Sequence, residues 1–261
     1  MSYEAETIEL NHVTARVMAD VDPMNPRKEF DQLGTMACWH PRYDLGDEKP
    51  SCDAEDYLLS LISDDAQALI ERIDGLLDEI PCSLNADYQW IPSSDKAATY
   101  AKLQQIRERV LDAALDSLIV LPLHLYDHSG ISMSCSGFPC QWDSGQVGYI
   151  HMSTETAKEN WPDLDGEELH KAAKECLRAE VAEYDQFLTG DVYGYIVENA
   201  DGDELESCWG FFGLDYAIEE ARGAAESYDA DESKRIEREA ADEIRWIAER
   251  DAWLEADLIA A

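Results

Sequence analysis

Lysine and arginine are scarce in this chain: 20 of them stand against 57 aspartates and glutamates in 261 residues, a formal net charge of −37. A surplus of one sign bears on solubility, partners and long-range fields rather than on fold. Direct nucleic-acid binding is not expected, because it needs cations that displace counterions from phosphates, and no basic patch with interleaved aromatics occurs. The surplus is not one acidic tail either. Residues 1–92 hold 20 acids and 6 bases, residues 93–213 hold 22 and 8, and residues 214–261 hold 15 and 6.

Other absences narrow the reading. No apolar run reaches the roughly 18 residues of a membrane span, and residues 1–20 carry Glu4, Glu6 and Glu9 without a basic n-region, so neither a membrane nor a secretory signal is expected. Glycine-rich phosphate loops are missing, and no cofactor is expected. The seven cysteines are odd in number and scattered, which fits reduced thiols in a cytosolic protein rather than a disulfide framework. A calcium loop starting at Asn199 fails, since it places Glu204 where glycine is needed and Gly210 where glutamate is needed. Asp201 and Asp203 remain as an unspecific acidic turn. There is no internal repeat.

Apolar content is ample: 45% hydrophobic residues, with seven tryptophans and twelve tyrosines, exclude a disordered chain despite the charge. Residues 5–20 read as a strand or hairpin, and residues 35–40 as a further strand. Over residues 53–80 the positions Leu58, Ile62, Leu69, Ile73, Leu76 and Ile80 keep a helical period, with a break expected at Asp64 and Asp65. Ser94 reads as the N-cap of a second helix with the stripe Leu103, Ile106, Val110 and Ala114, pairing with the first.

Three strands follow, over 117–126, 130–135 and 146–152, then a helix over 165–188 and a hairpin of 191–198 with 204–212 about a glycine-containing loop. Two helices are expected to close the chain. The last, over 232–259, carries Ile236, Ala240, Ile244, Ile247 and Leu254 on one side with Trp246 and Trp253 beside them. That stripe serves either the protein's own core or a partner, including a homodimer through this helix. The fold expected is α+β, a mostly antiparallel sheet with helices packed on one face and a C-terminal helical extension. Residues 1–213 form the core, with a helical insertion at about 53–116, and residues 214–261 the helical segment.

Reactive side chains are densest at His124, Tyr126, Asp127, His128 and Ser129, followed by Cys135, Cys140, Trp142, Asp143 and Ser144. On a strand, His124 and His128 share a face but stand roughly 13 Å apart at ~3.3 Å per residue, too far for one metal. A bend at Asp127 leaves a weak zinc candidate in His128, Cys135 and Cys140; a polar corner is the plainer reading. Ser129 or Ser144 with His128 as base and Asp127 or Asp143 as orienter supplies the roles of a triad, without a nucleophile elbow. Cys38 and His40 share a strand face and suggest a thiolate beside a base, against a half-buried structural pair.

Three stretches form a familiar set: residues 31–40 (DQLGTMACWH) running on to Tyr43, Asp44, Leu45, Gly46 and Asp47; Tyr126-Asp127-His128-Ser129-Gly130 with residues 142–148 (WDSGQVG); and Tyr184-Asp185 through residues 188–195 (LTGDVYGY). They resemble a family of uncharacterised proteins encoded by phages, plasmids and other mobile elements. The resemblance carries no established activity. It implies a setting in the host cytoplasm, the conflict between mobile DNA and its host, and a shared polar surface drawn from Cys38, Trp39, His40, Tyr126, Asp127, Trp142, Asp185, Asp191 and Tyr193. In that setting an acidic protein is expected to mimic DNA and occupy a basic surface of a defence protein, as an anti-restriction or anti-CRISPR inhibitor. The alternatives are an enzyme or ligand-binding protein using Asp127, His128, Ser129, Asp143 and Ser144, and a cytosolic protein whose acidity adapts it to salt. The balance leans away from an enzyme.

Overall fold

Alternating apolar residues set the first hairpin, in which β1 (Glu4–Glu9) and β2 (Val13–Ala19) bury Ile8, Val13, Ala15 and Val17 on one face. The structure is a computed structural model; it describes residues 3–85, 89–140 and 142–260, except the side chains of Leu84 and of residues 252–260. After the hairpin come α1 (Pro26–Glu29), β3 (Thr35–Cys38), α2 (Ala54–Ser60), α3 (Asp64–Asp78), β4 (Cys82–Leu84), β5 (Trp90–Pro92) and α4 (Ala97–Leu115). The second half holds β6 (Leu118–Asp127), β7 (Ile131–Ser134), β8 (Ser144–Ser153), α5 (Thr154–Asn160), α6 (Gly166–Thr189), β9 (Val192–Asn199), β10 (Glu204–Phe212) and α7 (Leu214–Ala260). The fold is α+β with antiparallel sheets and a long C-terminal helix. Among the described residues no helix is long and apolar enough to cross a membrane.

Two compact units divide the chain, Met1–Asn25 with Gln186–Ala261 and Pro26–Asp185. In the first, the sheet runs β1-β2-β9-β10. Its core joins Val13, Ala15, Val17, Tyr195 and Val197 to Ala217, Ala221 and Ala225 of α7. Alanine every fourth residue lets the helix backbone approach the sheet closely. This grouping differs from the division expected at 213/214, because the first turns of α7 complete the core of the N-terminal hairpin.

Gly202, at φ 84°, shapes the β9–β10 turn, where the Asn199 side-chain oxygen accepts from the amides of Asp201 and Asp203 at 3.0 and 2.8 Å. The acidic turn is closed by its own backbone.

In the second unit the sheet runs β3-β8-β6-β7, antiparallel throughout. The expected helix over 53–80 is broken, by Leu61–Ser63 rather than at Asp64 and Asp65, because Ser63 caps α3 from its side chain. Ser94 does not cap α4; Lys96 stands at that position without a side-chain bond. Of the α3 stripe, Ile73 is buried but Leu69 and Leu76 are exposed. Arg107 of α4 reaches Asp74 of α3 at 2.7 Å and Glu55 of α2 at 3.1 Å.

β3 and β8 lie close because Gly148 sits opposite Cys38; a Cβ there would come within 2.1 Å of the Ala37 carbonyl oxygen. Gly148→Ala is expected to push the two strands apart and cost about 1–3 kcal/mol. A urea midpoint unchanged from the parent would contradict that.

Candidate functional site

Part of the first familiar stretch serves one buried ion cluster. Arg27 lies inside, its side chain only 1% exposed. Its Nε donates to Asp47 at 2.9 Å, its Nη1 to Glu180 of α6 at 2.8 Å, and its Nη2 to the Gly34 carbonyl at 2.6 Å and to Asp47. Glu180 also accepts from the amides of Leu33 and Gly34 at 2.9 and 3.1 Å, and Asp47 from that of Met36 at 2.7 Å. Burial alone would pull the Arg27 pKa down; the bonds to Asp47 and Glu180 outweigh it, and the net direction is upward.

Gly34 and Gly46 are required by the same packing. A Cβ on Gly34 would meet Leu177 at 2.3 Å, while Gly46 takes φ +69° with Met36 at 2.8 Å and donates its amide to the Tyr184 hydroxyl at 3.1 Å.

Trp39 belongs to a neighbouring aromatic cluster. Its indole N–H donates to the Cys52 carbonyl at 2.7 Å, and its ring meets Tyr57 and Tyr149 edge-on. The Tyr57 hydroxyl donates to Glu48 and lies 2.9 Å from Nε2 of His151. Burial holds His151 below its ordinary pKa, against the opposing pull of Glu48 and Asp47.

Of the two readings of Cys38 and His40, the thiolate beside a base is not formed. Cys38 is 2% exposed, and its thiol is pushed up to about 12, by burial first and then by Asp47. His40 instead caps a turn: its Nδ1 accepts from the Arg42 and Tyr43 amides at 3.3 and 3.1 Å, and its ring stacks on Tyr43 at 4.8 Å.

The groups that stay at the surface gather at the open end of β6 and β8. Asp127 pairs with Arg42 and accepts from the Tyr43 hydroxyl at 3.3 Å, while its amide donates to the Asp143 carbonyl at 2.8 Å. His128 Nδ1 lies 3.3 Å from Asp143 Oδ2, with both side chains open to solvent. Tyr126 packs against His128 and Phe138 at centroid distances of 6.1 and 5.6 Å. Trp142 is 96% exposed. Ser129 holds the intervening turn at φ 60°.

This arrangement does not complete a nucleophilic triad. Ser144 donates its hydroxyl to the Cys140 carbonyl, and among the described residues no hydrogen bond joins His128 to Ser129 or Ser144. The zinc candidate is not assembled either: no group of three metal-ligating side chains occurs among the described residues. β7 pairs with β6 from Asp127↔Ile131 to His124↔Ser134, so Cys135 lies beyond the far end of the hairpin from His128. Four residues of strand, roughly 13 Å at ~3.3 Å each, separate them. Cys140 is nearer, its thiol donating to Asp143 at 3.5 Å.

Asp185 is structural, accepting from the Met133 amide at 2.7 Å. Asp191 and Tyr193 belong to the other unit, where the Tyr193 hydroxyl bonds to Asp191. Sequence reasoning missed Arg42, Tyr43 and Phe138, which join the surface cluster only through the fold. It also missed Arg27, whose signal was one of two adjacent cations, Arg27 and Lys28, just ahead of the first familiar stretch. Compared with family models, curated proteins and solved structures, the chain matches none.

Proposed function

We propose that this protein is an acidic inhibitor that presents a DNA-like field to a basic, DNA-binding host defence protein. The observation that supports it best is where the acids stand: among the described residues Glu180 is the only buried carboxylate. Most of the acidic excess is therefore at the surface, and the formal −37 equals the charge of about 63 Å of duplex axis at one charge per ~1.7 Å. Long-range attraction of this size speeds encounter with a basic cleft and weakens as salt rises.

Arg42, His128 and Trp142, with the half-buried Tyr43 beside them, supply what generic acidity lacks, aromatic and cationic side chains of the kind that anchor interfaces. On this reading, immobilised protein retains a DNA-binding protein from host extract, and duplex DNA displaces it. Trp142→Ala is expected to weaken retention about tenfold or more. Retention that duplex DNA leaves untouched would remove the mimicry reading.

The 3.3 Å His128–Asp143 contact favours a second reading, acid–base chemistry at this surface. It predicts loss of the biological effect in His128→Ala with partner binding intact; on the inhibitor reading the effect falls only as far as partner binding falls.

A further inference from the structure

Cations in so acidic a chain are expected to find carboxylates, and ten of the 20 do among the described residues, including Arg16, Arg27, Arg42, Arg107, Lys158 and Arg235. One stretch of α6 gathers three cations that share a single long ion pair. Its buried side is set by Leu169, Ala173, Leu177 and Val181. The flank beside that stripe carries His170, Lys171, Lys174 and Arg178, one face of the helix by their spacing of three and four.

These four side chains line one cavity of about 760 Å³, together with Asp116 at the end of α4 and the first turn of α6. Among the described residues Lys174 and Arg178 have no ion-pair partner, and Lys171 reaches only Glu175, at 4.0 Å. Three like charges held within eight residues repel one another, and an anion between them removes that repulsion. Arg178 also lines an adjoining cavity of about 370 Å³, in which Ser132, Ser134 and Phe138 offer hydroxyls and an aromatic ring. The two cavities therefore share a guanidinium at their junction. A cationic end suits phosphate oxygens, which lysine holds as a point charge and arginine through paired N–H groups. The hydroxyl-and-ring end suits the body of a small organic molecule.

We propose that this groove binds a small phosphorylated molecule, its phosphate held by Lys171, Lys174 and Arg178 and its body lying toward Ser132, Ser134 and Phe138. A compact ligand fits better than a polymer, because repulsion from the whole acidic chain grows with the charge and length of the anion. The proposal does not depend on the inhibitor reading, since the groove and the surface cluster use different cations and have only Phe138 in common.

Isothermal titration of the full chain with sodium pyrophosphate at constant ionic strength tests it. Saturable one-site binding is expected, weakened about tenfold or more in the double variant Lys174→Glu/Arg178→Glu. The pair Arg222→Glu/Arg238→Glu in α7 makes the same change in net charge outside the groove and is expected to leave binding intact. Far-UV circular dichroism checks folding, and Lys174→Gln/Arg178→Gln repeats the test if the charge reversal misfolds. No saturable heat at millimolar pyrophosphate, or equal weakening by the α7 pair, overturns the proposal. So does an oligonucleotide that binds through the same residues more tightly than pyrophosphate.

Discussion

Glu180→Ala is expected to destabilise the unit of Pro26–Asp185 by about 3–5 kcal/mol, the scale of breaking a buried ion pair from one side. That is a large part of the 5–15 kcal/mol that typically holds a domain together. Truncation removes the acceptor for Arg27 at 2.8 Å and for the Leu33 and Gly34 amides, and it leaves a guanidinium that is 1% exposed with Asp47 as its remaining carboxylate. The pair Arg27→Met/Glu180→Leu should be milder than Glu180→Ala alone, because no charge is then stranded. Urea unfolding followed by tryptophan fluorescence and circular dichroism measures both. A loss below about 1 kcal/mol for Glu180→Ala would mean that water reaches the cluster and satisfies it.

The second large effect concerns where α7 stops being part of a core. A chain ending at Gly213 is expected to lose the folded state of the first unit, because it removes Ala217, Ala221 and Ala225 and exposes the face of β2 and β9 that they cover. A chain ending at Ser233 keeps all three and is expected to melt within a few degrees of the parent. Beyond that point Ile236, Ile244, Trp246 and Ile247 are exposed, so they do not pack on the first unit's core. Trp253 and Leu254, expected on the same stripe, lie outside the described side chains. Mass in solution checks the dimer expectation at the same time: an unchanged oligomeric state in the chain ending at Ser233 removes it. Equal stability of both truncations would show that the sheet does not need its helix.

Much of this architecture was legible because local patterns and tertiary packing agree. The β9–β10 hairpin is written in its alternating residues and in the turn that Asn199 and Gly202 close, and β6, β7 and β8 lie within a few residues of their expected bounds. α7 was not legible as one helix of 47 residues. Between Ser227 and Ser233 the apolar period fades, which reads as a break. The helix runs on because that stretch lacks glycine and proline and because pairs one turn apart, Lys234 with Asp231 and Arg235 with Glu232 and Glu239, bridge its surface. The short β4–β5 hairpin was missed for a related reason, since three-residue strands carry too little alternation to register.

Linear sequence alone determined the charge, the lack of any membrane-length apolar run and the α+β alternation of segments, because each is a sum or a period along the chain. It also marked the familiar stretches without saying what they do. Only the tertiary structure decided that Gly34, Gly46 and Asp47 hold a buried arginine while Asp127, His128, Trp142 and Asp143 stay outside, because burial depends on what packs opposite. The opening imbalance of cations and acids changed in the same way. Sequence counted 20 bases; the fold set half of them beside carboxylates and gathered Lys171, Lys174 and Arg178 in one groove, a placement that depends on which face of α6 is buried.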